Sequence, residues 1–252
     1  MKFKSQKMLL ADGGLHHLGA KEEDVCETMI LTCASEDVPR IAAYLEDAKE
    51  SASHREYLTY QGTINGRKLA VMSIGHGCMP MAIAVEELNQ LNVKTIVKVG
   101  YGQALIPGIR PGTIIIPSAA VRSEGATKEY LPESYPACAH LPLIHALVKA
   151  FQENGIEPEV GIVRSHDAFY TEQLSDPHGK EKINYWANLG ILLNEHECSA
   201  MFVLSEIFRM KAAAVLIVKE NLADGTALDE ETFRDAEETV YRIVTKEIGE
   251  NW

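Results

Sequence analysis

Glu195 and Glu197, two residues apart in the segment NEHECSAMF, are the side chains best placed to do chemistry. On an extended strand, residues two apart point the same way, so both carboxylates would face one cavity. Paired carboxylates suit the cis-diol of a ribose, because each oxygen accepts a charge-assisted hydrogen bond from a hydroxyl. The competing account has Glu195 capping the helix that follows and Glu197 pairing with a surface lysine. A second cluster, Ser53-His54-Arg55-Glu56-Tyr57, holds in Arg55 a planar fork suited to an oxyanion. A solvated charged turn would look the same. Gly75-x-Gly77 and Gly100-x-Gly102 each follow an apolar run, where glycine lets backbone N–H groups approach an anion. Neither pair is a dinucleotide fingerprint or a Walker loop, and close strand–helix packing accounts for each equally well. His16 and His17 precede a turn at Gly19, and His76, His166 and His196 fall at strand ends. No two histidines stand at H-E-x-x-H spacing, and their neighbours supply no recognisable ligand set. No metal and no other cofactor is expected.

These residues must be positioned by elements that the hydropathy pattern outlines. Apolar, β-branched runs at 28–33, 69–74, 95–100, 113–117, 159–164, 190–194 and 213–218 predict strands. Helical spacing appears in Val38, Ile41, Ala42 and Leu45, in Ala84, Val85, Leu88 and Leu91, and in Leu143, Leu147 and Phe151 before Gly155. Two more helices are predicted over 199–210 and around Phe233, Ala236, Val240, Ile243 and Val244. Strands of nearly continuous apolar composition alternating with helices imply a mostly parallel sheet covered on both faces. A hairpin over 57–74, turning at Asn65-Gly66, adds an antiparallel piece. In such sheets ligands sit outside the carboxyl ends of the strands. The segments to inspect are therefore 34–37, 75–79, 100–103, 165–170, 194–198 and 219–221.

The formal net charge of −12 over 252 residues disfavours a nucleic-acid backbone or an anionic membrane as partner, though not a small anionic substrate in a locally basic pocket. The five cysteines are odd in number, widely spaced and free of any C-x-x-C pair, so neither a disulfide framework nor a zinc knuckle is expected. The lysine-bearing start has no apolar segment of signal-peptide length, and no run of apolar residues is long enough to span a bilayer. A cytoplasmic location is expected. The chain reads as an N-terminal segment over 1–14 and one domain over 15–252.

The order HHLG at 16–19, SHREY at 53–57, IAVEELNQL at 83–91, KVGYGQAL at 98–105, RPGTIIIPSAAVRSEGAT at 110–127, LPESYPA at 131–137, SHDAFY at 165–170 and NEHECSA at 194–200 resembles the nucleoside phosphorylases of the uridine and hexameric purine type. The resemblance implies a single-domain, three-layer α/β/α fold with a central mixed, mostly parallel sheet. It implies a homo-oligomer, dimeric or hexameric, with shared active sites. The implied reaction is cleavage of a ribonucleoside's N-glycosidic bond by inorganic phosphate, giving a free base and ribose 1-phosphate. By position, the ribose would be held by Glu195, His196 and Glu197, with Glu197 on the diol and catalytic. His17 would reach a neighbouring subunit's ribose, and Arg55 its phosphate. Lys98 and Gly102 stand at further phosphate positions, and Phe169, Gln173 and Lys219 on the base side.

The sequence departs from the family pattern at several of these positions. The Gly-Asp-Pro-x-Arg phosphate loop reads Cys33-Ala34-Ser35-Glu36-Asp37, which puts Asp37 where a phosphate-binding arginine is expected. Lys98 replaces an arginine, Gly102 a threonine, Ser175 an arginine that serves a uracil carbonyl, and Lys219 the purine branch's catalytic aspartate. A carboxylate about 4 Å from a phosphate charge repels it by roughly 4 kcal/mol at an effective dielectric of about 20. Two alternatives to phosphorolysis therefore stay open: a hydrolytic nucleosidase in which Asp37 activates water, and a non-catalytic nucleoside-binding protein.

Overall fold

The structure is a computed structural model that describes residues 6–172, 175 and 177–252. Its frame is one mixed sheet. Strands β1 (Thr28–Thr32), β4 (Arg67–Ser73), β5 (Thr95–Ala104) and β10 (Lys211–Asn221) form the parallel centre in the order β4-β1-β5-β10. Strands β2 (Glu46–His54) and β3 (Tyr57–Ile64) extend it beside β4 as an antiparallel meander. The predicted hairpin turns at Asn65-Gly66, both at positive φ. The sequence showed no β2, and the Arg55-Glu56 pair forms the tight turn between β2 and β3, with Arg55 at φ 55°.

At its other side the sheet curls and closes. Strand β10 pairs antiparallel with β6 (Ile114–Ser123), β6 pairs parallel with β8 (Glu159–His166), and β8 with the short β9 (Leu193–Glu195). Strand β9 then pairs back onto β5, completing a ring β5-β10-β6-β8-β9. Bulges at Val218/Glu220 and Pro117/Ala119 supply the bends that let β10 and β6 curve around it. Gly102 is required at the seam, since a Cβ there would stand 2.4 Å from the Asn194 carbonyl oxygen. Two short strands, β7 (Ala137–Cys138) and β11 (Thr226–Ala227), pair with β6 and β10.

Alternation along the central strands builds two cores. Met29, Leu31, Met72 and Ala214 face helices α2 (Cys78–Gln90) and α5 (Cys198–Phe208). Ile30, Val71, Val97 and Val215 face α1 (Asp37–Ala42), α3 (Leu141–Glu153) and α6 (Glu230–Asn251). Helix α4 (Pro177–Asn188) lies outside both, burying only Gly179 and Ile183. The expected α/β/α layering is present, with a ring closure that the sequence did not announce. No helix among the described residues is long and apolar enough to cross a membrane.

Candidate active site

A cavity of about 240 Å³ opens where the carboxyl ends of β1, β5, β9 and β10 meet, floored by the start of α1 and flanked by α6. Asp37, Gly102, Phe169, His196, Glu197 and Lys219 line it, together with Cys33, His76, Tyr101, Glu220, Glu237 and Tyr241. Lys98 and Glu195 lie just beneath Glu197 and do not reach the cavity surface. Gln173 falls outside the described residues.

The two glutamates part company because β9 ends between them. Glu195 is its last residue, whereas Glu197 is the N-cap of α5. Glu195 turns inward, accepting hydrogen bonds from the Ser165 hydroxyl and from the amides of Glu197 and Cys198, both at 2.8 Å. It caps the helix. Glu197 turns to the cavity wall, where it accepts the Gly77 amide at 2.7 Å and the Lys98 ammonium at 2.7 Å. Both carboxylates and the lysine are at most 2% exposed. Burial alone would push the Glu197 carboxyl up. The Lys98 charge and hydrogen bond, the nearby His76 and the Gly77 amide outweigh burial and hold it at about 2. Burial likewise opposes the Lys98 charge, but Glu197 carries its pKa well above the ordinary value. The result is a buried carboxylate held in its ionised form and facing a ligand cavity.

Asp37 is both the first residue of α1 and part of the cavity lining. Its carboxylate accepts from Arg40 at 2.8 Å and from the Thr32 hydroxyl at 3.3 Å. Arg40 also serves Glu237 at 2.8 Å and Glu238 at 2.9 Å, so three carboxylates share one guanidinium. Burial raises the Glu237 pKa despite Arg40, and burial and Asp37 raise that of the Tyr241 phenol beside it. Opposite, Lys219 Nζ stands 4.4 Å from the Phe233 ring centre and 5.3 Å from that of Tyr101, with Glu230 at 3.4 Å. Gln103 donates to Glu220 on the same wall.

Phe169 closes the mouth among imidazoles, 5.3 Å from the His196 ring and 6.1 Å from that of His76. Behind it, Arg164 donates to both oxygens of Glu172 at 2.8 Å, and Asn194 donates to the same carboxylate at 2.8 Å. Burial and the Arg164 charge lower His166 to about 4, so that imidazole is neutral near pH 7.

His17 and Arg55 lie off the cavity. The His17 amide and Nδ1 bind Glu87, with Nδ1 at 2.7 Å, and His54 Nδ1 donates to the His17 carbonyl. Arg55 is exposed on its turn, whose Glu56 packs on Gly75, one residue from His76.

Sequence reasoning gave no role to Cys33, noted there only as a departure in the phosphate loop, to Tyr101 and Glu220, which lie in strand-end segments marked for inspection, or to Glu237 and Tyr241. A signal existed for the last two. They stand four apart on α6 and interrupt its apolar stripe with polar groups facing inward.

A profile of the phosphorylase superfamily matches residues 28–248. The uridine phosphorylase of Thermococcus kodakarensis is 34% identical over 233 residues, covering 87% of this chain and 82% of its own. The guanosine phosphorylase of Halorubrum lacusprofundi is 33% identical over 232 residues, covering 90% and 94%. The crystal structure of uridine phosphorylase from Vibrio fischeri superposes with a TM-score of 0.83 at 26% identity, covering 94% of this chain and 98% of that one.

Proposed function

The chain belongs to the phosphorylase superfamily, and from that premise we propose that it cleaves the N-glycosidic bond of a ribonucleoside in the manner of a uridine phosphorylase. The observation that carries the proposal is Glu197, a fully buried carboxylate held ionised at about 2 on a cavity wall. In this reading Glu197 accepts hydrogen bonds from the ribose diol, and its charge stabilises the oxocarbenium character that develops at the anomeric carbon. His196, beside it, contacts the sugar. An oxygen of inorganic phosphate forms the new bond to that carbon as the bond to the base nitrogen breaks. The base departs with the electron pair, and the Lys219 ammonium on the opposite wall offsets its charge. Phe169 stacks on the base at the mouth.

His17 and Arg55 complete the site of a second copy, so the working unit is a homo-oligomer. Their support is that both side chains lie off the cavity of their own chain, near the same hairpin rim. Lys98, buried beneath Glu197, does not hold phosphate directly, and Gly102 serves the frame. Lys98 fixes the charge of Glu197, and Gly102 allows β5 and β9 to meet.

A second reading, hydrolysis, draws on Asp37. Its carboxylate lines the cavity where the resembled family has a phosphate-binding arginine, and Arg40 beside it is shared among three acids. Asp37 would then hold and deprotonate a water aimed at the anomeric carbon. Base release from uridine and from purine nucleosides, assayed chromatographically with and without phosphate, separates the readings. Phosphorolysis predicts cleavage that requires phosphate and yields ribose 1-phosphate. Phosphate-independent cleavage that Asp37→Arg abolishes would establish hydrolysis in its place. No cleavage of either base class would overturn both and leave a nucleoside-binding protein.

A further inference from the structure

We propose that Cys33, His76 and Glu197 form a binding site for a thiophilic divalent cation of the zinc kind. One thiol sulfur, one imidazole nitrogen and one carboxylate oxygen from these residues lie within 4.8 Å of one another. The His76 Nδ1 to Glu197 Oε1 separation is 3.6 Å. With metal–nitrogen and metal–oxygen bonds of about 2.0–2.2 Å, the edge of a tetrahedral site is about 3.4 Å, so this pair is nearly at ligand spacing. A thiolate, an imidazole and a carboxylate select zinc over magnesium or calcium, which take oxygen donors. Three protein ligands leave the fourth position open to the cavity.

Two of the three donors stand at the ends of central elements. Cys33 follows β1 directly and Glu197 caps α5. His76 sits between Gly75 at φ 74° and Gly77 at φ 101°, a backbone path that other residues adopt only with strain. The expectation of no metal rested on local ligand spacing, whereas these three donors are far apart along the chain and meet only through the sheet.

Charge agrees with this assignment. Lys98 contributes one positive charge to the cluster, and Glu195, Glu197 and a Cys33 thiolate would contribute three negative ones, a net of −2 that a divalent cation cancels. On binding, the sulfur–hydrogen bond gives way to a sulfur–metal bond and one proton is released. His76 supplies the imidazole nitrogen. Next to it, with ring centres 4.7 Å apart, His196 places Nδ1 at 2.6 Å from the His166 carbonyl. A carbonyl only accepts, so Nδ1 carries a hydrogen. A second imidazole therefore borders the site.

The site shares Glu197 with the ribose contact proposed above, and its test does not use catalysis. Reduced, chelator-treated protein is titrated with Co²⁺ and then with Zn²⁺. One equivalent of Co²⁺ is expected to bring the near-ultraviolet thiolate charge-transfer band and the intense visible bands of tetrahedral cobalt, and Zn²⁺ to abolish both. Cys33→Ser should remove the charge-transfer band while the circular dichroism of the fold persists. His76→Ala, whose side chain is 55% exposed and whose loss the fold should tolerate, should weaken Zn²⁺ affinity by at least about tenfold. Absence of the band at one equivalent, its survival in Cys33→Ser, or unchanged affinity in His76→Ala would each overturn the proposal. Should Cys33→Ser fail to fold, the His76→Ala titration alone decides.

Discussion

Replacing Lys98 with methionine keeps most of the side-chain volume and removes the one ammonium that faces Glu197 and Glu195. In the wild type that ammonium is 1% exposed, 2.7 Å from the first carboxylate and 3.6 Å from the second. At an effective dielectric of about 20 the closer contact amounts to roughly 6 kcal/mol of gross attraction, most of which offsets the cost of drying the two charges. The net follows from Glu197 itself. Its carboxyl falls from an ordinary 4.5 to about 2 on folding, which is on the order of 3 kcal/mol of differential stabilisation. Loss of one partner of a buried pair typically costs about 3–5 kcal/mol, in the same range.

The pH dependence gives a sharper signature. A carboxyl depressed in the folded state adds stability that is full above pH 4.5 and is lost as pH falls through about 2. In Lys98→Met, burial has no opposing ammonium, so the folded-state pKa rises above 4.5 and the sign reverses. The variant then loses stability as pH climbs from 4.5 toward that new value, while the wild-type Glu197 contribution stays constant. Urea unfolding of both proteins at pH 5 and pH 8 should show a gap that widens with pH and reaches about 3 kcal/mol or more. Lys98→Arg should narrow it. A gap under about 1 kcal/mol, or one independent of pH, would refute the account of Lys98 as the counter-charge of Glu197.

Other outcomes follow from the same geometry. Glu197→Gln keeps the shape but removes the charge facing the sugar, and kcat/KM for nucleoside cleavage should fall about a hundredfold or more in steady-state assays. Gly102→Thr, which restores the family's residue type, should lower the melting temperature and not improve phosphate use, because its Cβ meets the Asn194 carbonyl at 2.4 Å. Calorimetry with a phosphate titration measures both. Arg164→Met leaves the buried Glu172 carboxylate with Asn194 as its remaining side-chain donor among the described residues, and denaturant unfolding should register a loss of about 3–5 kcal/mol.

The strands that are buried on both faces were legible in the sequence, because their composition is set by the two cores they separate. Strand β2 was not. Its sequence EDAKESASH lies at the sheet edge with no fully buried residue, so no alternation marks it. Helix α4 escaped for the same reason, with two buried residues in twelve. Ring closure depends on β9 meeting β5 and β6 meeting β10, pairings between distant segments that leave no local pattern. At the site, the spacing of Glu195 and Glu197 was visible but their directions were not, since a strand that stops after Glu195 breaks the alternation. Lys98 was noticed by position, yet its burial against both acids could be read only from the fold. The acid that the sequence offered as a helix cap does cap α5, while the lysine that pairs with Glu197 lies in the interior.

The ring also orders events at the ribosome. Strand β5 is made early, but the edge that closes onto β10 waits until residues 211–221 have been synthesised, when four-fifths of the chain is already complete. Until then β5 carries an unsatisfied edge, and Glu195 and Glu197, the acids that face Lys98, are made only shortly before that edge is filled. Such long-range parallel pairing is slow and leaves strand edges open to the wrong partner. A nascent chain stalled short of residue 211 should therefore need a chaperone, and be cut readily by protease, while one released after β10 should protect itself.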